Sequence, residues 1–499
     1  MTAQATLTPT IRTTTPPRQV RRVARSDPRI AIAWAAVSIA AGLWFADWLP
    51  AAALAVLWLG WTLLGRYESL LVLPLAFTYQ WAQACFGIFY YGLTGRTSPT
   101  LRSLDYRPIV IVELVGLVVL AVGMALGTRV VGVKRTSRER EMDVTSRTLI
   151  VAYAIAAVVC TFLGVVAWQF PRLTQLIIAL SFLRMAVVYV LLRSFVIPRP
   201  RWIPFAMLLA TEIILTSTSY FADFRQPLAM AGLALLEARA RRSRAGRQRM
   251  TIAFGLVACV ACVMSLMWTA VKFDYRLALR ENRLSSRTEE LDFITRRAAE
   301  WIDSPEEWLP TTDRFVDRVW QIYFPGLTLA RVPSIVPHSN GALLEDAVLR
   351  VLMPRIFFPE KSGMRNDSEK VRLYAGVYVA GSESGTSYAL GYTAESYVDF
   401  GIPWMYVPVF LYAALVAGTV VWLYRKLIHV EIAVSTAAVI ALLSLQSLES
   451  SWAYMLGQAV ALSVVLGATS LIVDRLLLRR TDRAAANRRR AAVRPVYGR

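Results

Sequence analysis

Histidine is almost missing from this 499-residue chain: His338 and His429 are the 2 present, so a histidine-rich metal centre is excluded, and no HExxH motif occurs. Cysteine is scarce too, with Cys85, Cys160, Cys259 and Cys262 all inside apolar stretches. Cys259 and Cys262 have CxxC spacing, but no second pair or neighbouring histidine completes a metal site. They read as small apolar residues on one helix face, and no disulfide framework follows. Neither GxxxxGK[ST] nor GxGxxG is present, which leaves ATP-driven transport without machinery. No internal repeat is visible. The first apolar stretch lacks an A-x-A-like exit, so it reads as an uncleaved anchor rather than a signal peptide.

Acids are outnumbered by bases, 34 against 55, for a net charge of +21. Such a balance suggests nucleic acid, but the placement of the charge argues against that partner. Arginines gather in short segments between apolar blocks and at both tails, as cytoplasmic loops do under the positive-inside rule. Hydrophobic residues make up 56% of the chain and fall in blocks of about twenty, the length that crosses roughly 30 Å of hydrocarbon. Lipid offers backbone groups no partner, so each block must be helical. The expected fold is therefore an all-α polytopic membrane protein with about twelve transmembrane helices and one large extracytoplasmic loop.

Five parts follow, with about nine helices in the first bundle and three closing it. Residues 1–28 form a disordered basic cytoplasmic tail, 29–271 the first bundle, 272–401 the extracytoplasmic loop, 402–476 the closing helices and 477–499 a second basic cytoplasmic tail. Segment 238–250 carries Arg239, Arg241, Arg242, Arg244, Arg247 and Arg249 without an acid, and 131–147 carries Lys134, Arg135, Arg138, Arg140 and Arg147. With the N-terminus in the cytoplasm both land on the cytoplasmic side, whereas Arg96, Arg102 and Arg107 fall outside. The segment 272–401 carries a net charge of −3 and the rest of the chain +24. The apolar block 226–237 is too short to span comfortably, so it is either re-entrant or a helix buried among others. Within 272–401, an apolar stripe over 276–302 predicts an amphipathic helix, 341–353 reads as helical, and the Gly-, Ser- and Tyr-rich 376–391 as irregular.

Ionisable residues inside apolar blocks are costly and mark either ion pairs or polar cavities. Arg184 and Glu212 sit in mid-block, Asp223 and Arg225 flank the short block, and Glu113 lies near a block end. An outward-opening cavity would let Arg184 and Arg225 bind an anionic lipid headgroup, since guanidinium matches phosphate oxygens bidentately. Two further clusters lie in 272–401. One is Pro354-Arg355-Ile356-Phe357-Phe358-Pro359-Glu360-Lys361, followed by Arg365. The other is Tyr392-Thr393-Ala394-Glu395-Ser396-Tyr397-Val398-Asp399-Phe400-Gly401, whose two carboxylates share a face if helical. His338 is a lone loop histidine, read as either surface packing or a proton acceptor.

The run PRIFFPEK (354–361) resembles the PR-x-aromatic-x-P-x-K segment of bacterial oligosaccharide repeat-unit polymerases, the Wzy-type O-antigen and exopolysaccharide polymerases. TAESYVDFGIP (393–403) resembles their E-x-Y-x-N/D-F-G segment ahead of a transmembrane helix. The detailed similarity covers about residues 310–425, and the other helices match in layout. After Lys361 the chain reads KSGMRND, where the family pattern has KPxxN.

The resemblance implies a metal-independent glycosyltransferase without a cofactor, in the bacterial cytoplasmic membrane. It would join undecaprenyl-pyrophosphate-linked oligosaccharides at the outer face, and its partners would be that substrate, membrane lipid, a chain-length regulator and a flippase. Arg355, Arg184 and Arg225 would then stabilise the departing pyrophosphate, with Lys361, Arg318 and Arg365 as further cations. Glu395, then Asp399, then His338 would take the acceptor proton. The rivals are an O-antigen ligase-type transferase, a polysaccharide transporter or flippase, and a lipid-phosphate-sugar-dependent glycosyltransferase. The last usually has an acidic pair in its first outer loop, where this chain offers only the few residues around Asp47.

Overall fold

The computed structural model describes residues 28–493 apart from 67–69, 102–103, 134–139, 143, 171–172, 218–223, 282, 284–285, 354–357, 359–366 and 382–386. The described residues form helices and no strand. In chain order they are α1 (Pro28–Trp44), α2 (Trp48–Leu64), α3 (Val72–Thr94), α4 (Arg107–Val131), α5 (Ser146–Val166), α6 (Thr174–Ser181), α7 (Leu183–Val196), α8 (Trp202–Ser217), α9 (Arg225–Ala240), α10 (Arg244–Arg280), α11 (Arg287–Ile302), α12 (Pro305–Val319), α13 (Tyr323–Arg331), α14 (Ala342–Leu352), α15 (Asp367–Lys370), α16 (Tyr392–Phe400), α17 (Tyr406–Lys426), α18 (Val430–Ser444) and α19 (Trp452–Val493).

Among the described residues, 6 spans are long and apolar enough to cross a membrane: α4, α5, α6 with α7, α10, α17 and the first part of α19. The helices α1, α2, α8 and α18 are shorter and equally apolar. Outward faces are also apolar: Val151, Ile155, Val158 and Phe162 on α5, and Ile252, Leu256 and Val263 on α10, are exposed. Faces of that kind suit lipid rather than water.

The core forms where small residues let helices approach. α4 packs most extensively against α17, across Gly123 and Gly127, a G-x-x-x-G pair. A Cβ on Gly127 would lie 2.2 Å from the Ala414 carbonyl oxygen, and one on Gly123 2.6 Å from that of Phe410. Gly127→Leu is therefore expected to force α4 from α17 and cost at least the ~1–3 kcal/mol of an overpacked core. The check is the melting temperature of the purified protein in detergent; an unchanged value would contradict this packing. α18, buried along nearly its whole length, contacts α3, α7, α17 and α19.

The short block resolves as α9, a buried helix between α7 and α10, not a re-entrant loop. The stripe over 276–302 is broken. α10 continues to Arg280, and Ser286 then opens α11 by accepting a hydrogen bond from the Glu289 amide at 3.3 Å. Glu289 and Glu290 in that first turn favour the positive end of the new helix. α11 folds back so that Ala298 packs with Val271 and Tyr275 of α10. Within 341–353 the helix is α14 (Ala342–Leu352), and no helix covers the described part of 376–391.

Candidate functional site

Residues 445–451, between α18 and α19, form a loop held from three sides. A helix C-terminus leaves carbonyls without partners, and here two glutamines of α3 supply them. Gln80 donates to the Leu445 carbonyl at 2.8 Å and Gln83 to that of Gln446 at 2.9 Å. The Gln83 oxygen accepts from the Leu448 amide at 2.7 Å. Gln321 accepts from Ser447 Oγ at 3.0 Å and from the Glu449 amide at 3.2 Å. On the far side, Ser451 Oγ donates to Asp367 at 3.0 Å and the Trp452 amide to Glu395 Oε2 at 2.8 Å. Gly391, at φ +100°, lies directly beneath, where a Cβ would sit 2.5 Å from the Leu448 carbonyl oxygen.

The next layer outward is cationic. α12 carries two doublets, Asp313-Arg314 and Asp317-Arg318, spaced so that acids and bases form separate stripes on one helix. The acids turn toward α3 and the residues after it: Asp313 pairs with Arg96 and accepts from Tyr90, and Asp317 accepts from Tyr91, Ser98 and Thr100. The bases lie within electrostatic range of Arg225 at the start of α9 and of Lys272 and Arg276 near the end of α10.

Five cations thus share one field. Arg225, Lys272 and Arg318 have no ion-pair partner among the described residues. Arg314 bonds only within its own turn, to the Pro310 carbonyl and Thr311. Arg318 is exposed. Even so, the atoms crowded around its guanidinium and then the adjacent Arg225 hold it below the ordinary arginine range, against the pull of Glu449. Glu449 is the acid coupled to Arg318. Burial pushes its carboxyl up to about 7, with Arg318 pulling the other way. A cluster of like charges opposes its own assembly, so it is stable only where an anion or water compensates.

Of the residues singled out in the sequence, Arg225 and Arg318 are brought together here. Arg184 is not: it pairs with Glu212 at 3.2 Å and donates to Thr161, while Tyr153 donates to Glu212 at 2.6 Å, joining α5, α7 and α8. Glu395 is fully buried, and its Oε1 accepts from Lys370 at 2.8 Å, which also pairs with Asp367 at 3.2 Å. Burial raises the Glu395 carboxyl and Lys370 opposes that. Lys370 is held charged by Glu395 and Asp367 despite burial, which by itself would lower it.

Asp399 accepts from the Leu343 amide at 3.0 Å, the Leu344 amide at 2.8 Å and Ser339 Oγ, capping α14. His338 Nδ1 faces the carbonyls of Tyr397 and Val398 at 3.1 and 3.2 Å, so that nitrogen carries the proton. Both carboxylates are thus engaged in holding the frame. Arg355, Lys361 and Arg365 lie outside the described residues. Glu449 and Arg314, Lys272 and Arg276 were not among the sequence candidates. The signal for Glu449 was a charged residue among serines, Ser447-Leu448-Glu449-Ser450-Ser451, between two apolar helices.

These features define an all-helical chain with several membrane-length apolar helices and an anion-attracting cluster beside a pinned loop. A family described as a domain of unknown function (DUF8712) matches residues 111–422, more than half of the chain, and the chain belongs to that family. No curated protein and no solved structure matches it.

Proposed function

We propose that the protein is a polymerase of lipid-pyrophosphate-linked oligosaccharide units, and that Arg225 and Arg318, with Arg314, Lys272 and Arg276 around them, receive the donor pyrophosphate. The observation that carries this reading is that Arg225 and Arg318, brought together from helices far apart in sequence, make no ion pair with a described residue. Guanidinium groups give a phosphate oxygen pair two parallel hydrogen bonds and stabilise charge as the lipid pyrophosphate departs.

The topology proposed with it has about twelve spans, both termini in the cytoplasm and 272–401 outside. α9 and α10 form a hairpin with Arg239–Arg249 at its turn and Arg225, Lys272 and Arg276 at its open end. At about 1.5 Å per residue the 37 residues of α10 extend about 55 Å, more than the roughly 30 Å hydrocarbon core. If the arginine-rich turn is cytoplasmic, the cluster lies at the outer face, where the lipid-linked donor is presented.

The test is a double Arg225→Ala, Arg318→Ala variant in cells lacking the native copy. Each lost charge-assisted contact is worth about 1.5–3 kcal/mol, so donor use should fall by at least ~100-fold, with single repeat units accumulating. Full-length polymer at normal protein level would remove the cluster from the reaction. Polymer that forms but stays on its lipid carrier would instead identify a ligase. Loss of lipid-linked units from the outer leaflet would identify a flippase.

A further inference from the structure

We infer that Glu449 is the group that takes the proton from the acceptor sugar hydroxyl, a role that rests on the polymerase reading above. In that reaction the hydroxyl oxygen attacks the anomeric carbon of the donor and a new C–O bond forms. The bond from that carbon to the pyrophosphate oxygen breaks and its electron pair leaves with the lipid pyrophosphate. The hydroxyl proton must go to a base within hydrogen-bond reach that is free to receive it.

Three observations select Glu449. Its backbone is fixed, with the bonds from the Leu448 and Glu449 amides to Gln83 and Gln321 on one side and those from Ser451 and the Trp452 amide to Asp367 and Glu395 on the other. Among the described residues its carboxylate has no hydrogen bond and no ion pair, whereas those of Glu395 and Asp399 are taken. It also lies within electrostatic range of Arg318, the cation at the centre of the proposed donor site. Anchoring the backbone while leaving the carboxylate unbound is what a positioned base requires.

The charged and titratable surroundings are consistent with a proton acceptor near neutral pH. Arg318 of α12 acts electrostatically on Glu449, Arg225 of α9, Arg276 of α10 and Tyr388 act on that arginine, and Lys272 of α10 shares the field. Behind the loop, Lys370 pairs with both Asp367 and Glu395. Half-burial raises the carboxyl to about 7, so near pH 7 it is divided between the acceptor form and the protonated form. In this reading Glu395 and Asp367 are positioning residues, since they act by holding the loop that carries Glu449.

The experiment uses the full-length protein in two assays: polymer formation in membrane vesicles supplied with lipid-linked repeat units, and binding of a sugar-free polyprenyl pyrophosphate to the purified protein. Glu449→Gln is expected to lower polymer formation by ~100- to 10,000-fold, the range of general base catalysis, and to leave polyprenyl pyrophosphate binding equal or tighter. With the native residue, the rate should rise with pH through about 7 and then level, because the ionised carboxyl is the active form. Glu449→Asp should keep the rising limb at a reduced rate, and Glu449→Gln should abolish it.

A Glu449→Gln protein that polymerises normally overturns the assignment while leaving the donor site standing. So does one that loses binding together with polymer, because the role is then structural. If the native protein itself fails to bind polyprenyl pyrophosphate, the polymerase reading fails.

Discussion

Lys370→Ala should be the most damaging single truncation outside the apolar core. Lys370 and Glu395 are both buried, their contact is 2.8 Å, and each is also tied to the chain around it. Removing the ammonium leaves a carboxylate in the interior without its counter-ion. Loss of one partner of a buried pair costs about 3–5 kcal/mol, a large part of a typical total stability. The sign with pH follows from the carboxyl. In the variant, burial raises Glu395 with less to oppose it, so the folded state holds a proton that the unfolded chain releases. The penalty is then smallest at low pH and grows as pH rises through the ordinary carboxylate range. Thermal unfolding in detergent across pH checks this. A second substitution, Glu395→Gln on Lys370→Ala, should recover much of the loss and flatten the pH dependence, because no charge is left buried. If Lys370→Ala melts like the native protein at neutral pH, the buried pair is not what holds α15, α16 and the 445–451 loop together.

Gly391→Ala should separate stability from activity. At φ +100° and ψ 146° Gly391 occupies a region that L side chains seldom enter, which costs about 1–3 kcal/mol. The added methyl would also lie 2.5 Å from the Leu448 carbonyl oxygen, so the 445–451 loop must move. That loop sets the position of Glu449 against Arg318. A displacement of about 1 Å at a reacting group can cost about 100-fold in rate. The expected result is a modest fall in melting temperature together with near-complete loss of polymer in cells. Loss of stability and activity in proportion would show that Gly391 serves folding alone.

Other parts of the site differ in how readable they were. The α12 doublets were visible as Asp313-Arg314 and Asp317-Arg318, but spacing alone does not say which stripe finds partners. Arg96, Tyr90, Tyr91, Ser98 and Thr100, more than two hundred residues earlier in the chain, take up the acids and leave the bases unpaired. Arg184 shows the reverse. An arginine in an apolar block reads as either an ion pair or a cavity residue, and Glu212 makes it an ion pair. Glu395 and then Asp399 read as candidate proton acceptors, two acids that share a face of one helix. Their oxygens are instead occupied by Lys370 and the Trp452 amide, and by the α14 amides. Glu449, a single acid between apolar helices, reads in the sequence as an ordinary loop charge.

The sequence by itself determined the helical class, the apolar membrane-length segments and the segregation of arginine into short connecting stretches. Those properties depend on residues near one another along the chain: the length of an apolar run, the backbone's need for internal hydrogen bonds, and local charge density. Only the tertiary structure decided which charges are neutralised and which are left open. Pairing depends on side chains delivered from distant segments, α9, α10, α12 and the 445–451 loop, and no spacing within any one of them records that meeting.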